Sequence, residues 1–198
     1  MRELPLAVDD KHIIERILEG KVRDFALLVQ RYQDRAMTLA MRLIGDRPEA
    51  EELVQDAFMR AYRSLGQFRG DAQFHTWLYR ILYNLCLTRI RRRKGKPDQV
   101  DLEDAAEFNV NLAGADERNI QDILEAVEQK EILSAEIENL PEKFKTAVTL
   151  FYLQEMTYEE IGGIMEIPMG TVKTYLYRGR ALLSRRVLAR CSEGVHAA

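Results

Sequence analysis

Apolar residues recur at three- and four-residue intervals along almost the whole chain and almost nowhere at alternate positions, which confines the fold to packed helices. Between Ala50 and Leu65 the series Ala50, Leu53, Val54, Ala57, Phe58, Ala61, Tyr62 and Leu65 forms one stripe. Glu51, Glu52, Gln55, Asp56 and Arg60 occupy the opposite side. Asp46 stands where a cap is needed, and Pro48 suits a first helical turn. A short helix over about 10–19 and a longer one over about 23–43 precede it, punctuated by Gly20 and Gly45. A fourth helix follows the Gln67–Asp71 turn and places Phe74, Trp77, Leu78, Ile81, Leu82 and Leu85 inward.

Gly95 and Pro97 end that helix, and periodicity lapses until Ile120. From there Ile123, Leu124, Val127, Ile132, Leu133 and Ile137 restore it, and Pro141 opens a helix through about Tyr152. Thr157 and Glu160 then make a Thr-x-x-Glu capping box before the apolar face Ile161, Ile164 and Met165. A last helix over about 169–189 turns Val172, Leu176, Leu182 and Leu183 inward. The expectation is an all-α protein of two small helical domains, 1–95 and 119–198, joined by an acidic linker over 96–118.

Charge divides along the same lines. Residues 98–142 hold 14 acidic side chains against 2 basic ones, so a segment at −12 sits inside a chain of net −3 and the remainder carries about +9. Two clusters supply much of that excess: Arg89 to Lys96, and Lys173, Arg178, Arg180, Arg185, Arg186 and Arg190. Both lie on amphipathic helices, which favours a nucleic-acid contact over a merely solvated face.

The segment from Thr157 to Arg180 has the layout of a helix-turn-helix, in which the second helix enters the major groove. Lys173, Thr174, Tyr177 and Arg178 share an outward face and are expected to contact bases and nearby backbone, while Arg180, Arg185 and Arg186 hold phosphates. An αα-hairpin with a solvated basic side is the competing reading. Around the first basic cluster aromatics alternate with bases, a composition suited to unpaired strands whose bases stack on rings. Phe74 and Trp77 belong to the core face, whereas Tyr79, Arg80, Tyr83 and Asn84 are expected to form an exposed surface.

Catalysis finds no support in these residues. No glycine-rich phosphate loop, nucleophile elbow or metal-ligand spacing occurs, so neither a metal nor a cofactor is expected. Cys86 and Cys191 are far apart and unpaired, Cys86 within an apolar helical face. No apolar run approaches a membrane span, and Glu3, Asp9 and Asp10 stand where a signal peptide would be apolar, so no membrane insertion and a cytoplasmic location are expected.

Taken together, these motifs resemble the extracytoplasmic-function group of bacterial RNA polymerase sigma factors, small members of the sigma-70 family, over about 25–94 and 132–188. The run Asp46 to Tyr62 (DRPEAEELVQDAFMRAY) looks like the core-polymerase-binding helix of sigma region 2. Phe68 to Asp71 (FRGD) and Phe74 to Asn84 (FHTWLYRILYN) look like the segment that melts and captures the minus-ten element. Leu140 to Phe144 (LPEKF), Met156 to Gly162 (MTYEEIG) and Ile167 to Thr174 (IPMGTVKT) look like region 4, which reads the minus-thirty-five element.

The resemblance implies a non-enzymatic initiation factor whose partners are core RNA polymerase, promoter DNA and an anti-sigma factor. Glu52, Leu53, Gln55 and Asp56 would meet the polymerase. Phe68, Arg69, Arg80, Tyr83, Asn84, Arg91 and Arg92 would hold the melted minus-ten strand, and Lys173, Thr174, Tyr177, Arg178 and Arg180 the minus-thirty-five duplex. Two residues depart from the group's pattern: Tyr175 replaces a basic residue of the recognition helix, and Gly179 replaces an alanine at a cost of up to about 1 kcal/mol of helix propensity. The acidic linker would thread the polymerase channels as a nucleic-acid mimic, or serve only as a solvated spacer; its composition fits both. A free-standing helix-turn-helix regulator would need neither the polar third helix nor the aromatic minus-ten segment.

Overall fold

The structure is a computed structural model that describes residues 9–95 and 135–195. The expected linker over 96–118 and the apolar series from Ile120 to Leu133 therefore lie outside the described residues. Within them the chain forms helices and turns, with no strand.

Four helices build the first unit: α1 (Asp10–Leu18), α2 (Phe25–Ile44), α3 (Arg47–Ser64) and α4 (Phe74–Arg93). The left-handed Gly45, φ 71°, closes α2 by donating its N–H to the Met41 carbonyl, and the Asp46 side chain then accepts the Glu49 N–H to open α3. The α3 stripe packs as its spacing requires, with Ala50, Ala57 and Ala61 at 0–1 % exposure; only Tyr62, at 42 %, stays out. Small residues along this seam let α2 and α4 approach α3 closely. Asp10 of α1 accepts from both Arg31 and Tyr32 of α2, which fixes the short first helix on the bundle.

The second unit begins with a helical turn at 135–138, followed by α5 (Glu142–Val148), α6 (Tyr158–Met165) and α7 (Met169–Val195). α5 runs directly into a π-helical turn, Thr149–Leu153. The capping box at Thr157 and Glu160 is complete: each residue accepts the other's backbone N–H. Glu166, in the left-handed region at φ 55°, ends α6, and the Ile167 N–H returns to the Gly162 carbonyl. A Cβ on Gly162 would stand 3.0 Å from the Ile167 carbonyl oxygen, so the tight turn favours glycine there.

The units are in contact, and one continuous apolar core joins them. α6 lies on α4, and α5 with its π-turn lies on α2. This corrects the expectation for α4. Tyr79 and Tyr83 are 1 % and 7 % exposed, not surface residues, because α4 is covered on a second side by the other unit. Trp77, Ile81 and Leu85, expected inside, are half-buried instead. A helix enclosed from two directions has no single apolar stripe, so its periodicity identifies only part of what is buried.

Candidate nucleic-acid interface

Three surfaces carry the predicted site residues. The first is the outer side of α3. Glu52 and Gln55 are exposed and Asp56 is half-buried; Leu53, named with them, is only 4 % exposed and packs in the core beneath them. Asp56 accepts from Arg60 one turn later at 3.2 Å, and Met59, 50 % exposed, continues the same face. Glu52 is less available than the sequence indicated, since Arg89 of α4 donates to it at 3.1 Å.

The second surface is the loop between α3 and α4 together with the start of α4. Phe68 packs at a tilt beside Trp77, ring centroids 5.1 Å apart, and meets Phe74 edge-on at 6.0 Å. The Phe68 and Trp77 rings wall a cavity of about 320 Å³ that Arg69 and Arg80 also line. Gly70, φ 76°, lets the loop double back around it. Arg69, Arg80 and Asn84 are exposed. Tyr83 is not: burial first, then the nearby Tyr175 and Glu142 of the second unit, push its phenol well above the usual tyrosine range. Tyr83, expected on the exposed surface that contacts the melted strand, is buried beside the second unit in this structure.

The basic end of α4 divides by function. Arg93 donates to the Ile44 carbonyl at 3.0 Å and pairs with Glu49, and Arg89 bridges Glu49 and Glu52. These two arginines tie α4 to α2 and α3. Arg91 is half-buried beside Tyr83, and Arg92 is exposed. The sequence run alone did not distinguish the tied from the available, although the i, i+4 spacing of Arg89 and Arg93 places them together.

The third surface is the recognition side of α7. Lys173 and Thr174 are exposed, while Tyr177, Arg178 and Arg180 are half-buried. Lys173 reaches back across the turn to within 6.0 Å of the Tyr158 ring centroid. Arg186, expected to hold phosphate, donates to the Asn139 carbonyl at 2.8 Å and so secures the 135–138 turn against α7. Tyr175 meets Phe144 edge-on at 5.5 Å, which explains an aromatic residue in place of a base there. The described residues contain no cluster of histidine, cysteine or carboxylate side chains able to hold a metal ion, and no helix long and apolar enough to cross a membrane.

Comparison with known proteins agrees with the two-unit division. Residues 28–96 match the family model for sigma-70 region 2, and residues 130–183 match that for sigma-70, region 4. The RNA polymerase sigma-H factor of Pseudomonas aeruginosa is 36% identical over 178 residues, 89% of this chain and 92% of that protein. The ECF RNA polymerase sigma-E factor of Escherichia coli is 36% identical over 182 residues, 90% and 94% of the respective chains. Among solved structures, CnrH in complex with the cytosolic domain of CnrY superposes with a TM-score of 0.62 at 22% identity, covering 91% of this chain and 97% of that one. The sigma factor RpoE in complex with the anti-sigma factor NepR from Bartonella quintana gives 0.61 at 20% identity, over 83% and 97%. At such identities the likeness is one of fold.

Proposed function

This chain belongs to the extracytoplasmic-function group of the sigma-70 family, and we propose that it does the group's work through the three surfaces just described. As a sigma factor it joins core RNA polymerase and directs initiation at promoters; it has no reaction of its own to catalyse. The observation that carries the assignment is the relationship to whole sigma factors at 36% identity, which runs through both units.

The outer side of α3 is the polymerase contact in this reading. Its core side is filled by alanines and Phe58, so Glu52, Gln55 and Asp56 stand on a rigid platform, with Leu53 supporting them from within. Acidic groups there suit a basic partner helix. The cavity behind Phe68 receives a base flipped from the non-template strand, with Arg69 and Arg80 at its edges, exposed Asn84 one turn beyond Arg80, and Arg91 and Arg92 along the phosphates. Melting needs no fuel, because a stacked, sequestered base offsets an unpairing cost of a few kcal/mol. Lys173, Thr174, Tyr177, Arg178 and Arg180 read the upstream duplex. The region boundaries follow the two units, 1–95 and 119–198, with the acidic segment as their tether. The protein acts in the cytoplasm, where its polymerase is.

Control by an anti-sigma factor belongs to the same proposal. It is supported by the solved structure of the same fold that holds the anti-sigma factor NepR. Co-elution with core RNA polymerase on a sizing column tests the α3 assignment: wild type co-elutes and Asp56→Arg does not. A wild type that stays apart from polymerase yet binds duplex operators alone overturns the reading in favour of a conventional regulator.

A further inference from the structure

The exposed cation of the recognition helix is held by a ring and not by an acid. Lys173 is the fifth residue of α7, and its Nζ sits 6.0 Å from the ring centroid of Tyr158, the first residue of α6. No carboxylate among the described residues pairs with it. Other cations of the fold are treated differently: Arg16, Arg89, Arg93 and Lys145 each meet an aspartate or glutamate.

The ring itself is fixed in place. Tyr158 directly follows Thr157, so the capping box between Thr157 and Glu160 sets its backbone. It stacks on Phe151, with ring centroids 5.3 Å apart and planes 28° from parallel, and Phe151 is braced edge-on by Tyr152 at 4.9 Å. Phe151 and Tyr152 belong to the π-helical turn Thr149–Leu153, a geometry that recurs at functional positions. The turn into α7 is equally constrained, since the Pro168 carbonyl accepts from both Thr171 and Val172. Ring and cation are thus carried by two helix starts whose relative placement is set by backbone hydrogen bonds.

The nature of the partner matters for a cation that meets a polyanion. A carboxylate would hold the ammonium by neutralising it, would occupy its N–H donors and would itself repel phosphate. A ring face holds it through the aromatic quadrupole, adds no net charge and leaves all three N–H donors to a ligand. A lysine with no such contact gives up the freedom of its four-carbon stem when it binds, whereas one already held over a ring gives up less. Thr174, its exposed neighbour, donates its hydroxyl to the Gly170 carbonyl at 2.9 Å, so Lys173 is the exposed residue of this turn whose donors are not taken up within the helix.

We propose that Tyr158 is a positioning residue for sequence recognition: its ring face pre-sets Lys173 for the upstream duplex and so determines how much that lysine contributes to binding and selection there. The proposal rests on the assignment of Lys173 to the minus-thirty-five duplex.

The test is a double-mutant cycle on the full chain assembled with core RNA polymerase. The probes are a duplex recovered by the wild-type holoenzyme from random-sequence DNA and the single-base substitutions of that duplex. Lys173→Met weakens binding of the selected duplex by roughly tenfold. Tyr158→Leu, which keeps an apolar side chain against Phe151 but no ring, weakens it by roughly fivefold and changes the base-substitution profile at the same positions as Lys173→Met. In a Lys173→Met background Tyr158→Leu has no further effect. Tyr158→Phe stays within about twofold of wild type, and progressively fluorinated phenylalanines at position 158, which drain the quadrupole with little change of size, weaken binding stepwise toward the Tyr158→Leu level. A Tyr158→Leu loss that is the same with and without Lys173, a Tyr158→Phe variant as weak as Tyr158→Leu, or binding indifferent to ring fluorination overturns the positioning role and leaves Lys173 on the duplex. A Lys173→Met variant that binds every duplex as the wild type does removes that assignment too, and the positioning role with it.

Discussion

Gly179 of the recognition helix lies against Val148 of α5 so closely that a Cβ at position 179 would stand 2.8 Å from Val148 Cγ2 and 3.5 Å from the Phe144 Cβ. The glycine that looked like a defect in helix propensity is the residue that lets the two helices touch. Gly179→Ala gains up to about 1 kcal/mol of propensity and meets a β-branched side chain with little freedom to move. A net loss of about 1 to 2 kcal/mol is expected from overpacking, read as a lower urea midpoint for the second unit. Stabilisation instead would show that Val148 yields without cost.

The division of the arginine cluster separates charge that binds from charge that holds the fold. Arg92→Ala is expected to flatten the salt dependence of single-stranded DNA binding by about 0.7 in log–log slope, the share of one phosphate contact. Arg93→Ala should leave that slope nearly unchanged and instead destabilise the first unit by about 1 kcal/mol or less, because it removes the tie to the Ile44 carbonyl and Glu49. Equal slopes for the two variants would refute the division.

Glu160 gives the protein an acid-sensitive element. Its carboxyl is depressed in the fold, so its stabilising effect is complete above the unfolded value of about 4.3 and is lost as pH falls through the lower folded value. Thermal melts from pH 6 to pH 3 should show the wild type losing more stability than Glu160→Gln, with the difference confined to the region below about pH 4.5. Parallel curves would mean that the carboxylate adds nothing beyond its cap.

Cys86 is fully buried in α4, and burial pushes its thiol up to about 12. The thiolate needed for reaction is therefore scarce at pH 8 and shielded as well. In a Cys191→Ser background a thiol reagent should modify Cys86 only at the rate of opening, and promptly in 6 M urea. Rapid labelling of the native chain would show that α4 is far less enclosed than its packing indicates.

Arg178→Ala tests direct readout. If the guanidinium contacts a base edge, the variant loses about 1 to 3 kcal/mol of discrimination at one position of the upstream element, measured by competition among single-base substitutions. A uniform loss over all sequences would reassign Arg178 to the phosphate backbone.

Much of this architecture is legible from residues that act locally. Asp46, Gly45, Thr157 and Glu160 mark helix ends through their own backbone chemistry, and each does so in the structure. The α3 stripe is equally readable because that helix is buried on one side only. What the sequence did not disclose depends on partners distant in the chain. Tyr83 became a buried residue because the second unit covers it, Arg93 was committed to the end of α2, Arg186 to Asn139, and Gly179 to Val148. A periodic pattern reports that a face is covered without identifying what covers it, and a basic run reports charge without revealing which charges are already spent.

The double enclosure of α4 also bears on how such a protein can diverge. Tyr83 and Thr76 are buried on α4, Tyr83 beside Tyr175 and Glu142 of the second unit and Thr76 in the wall of the cavity behind Phe68. Substitutions there are expected to disturb the packing of α4 along with any effect on promoter choice. Exposed Asn84 and Arg80 bear no such double duty, and drift in sequence preference is expected to enter through them first.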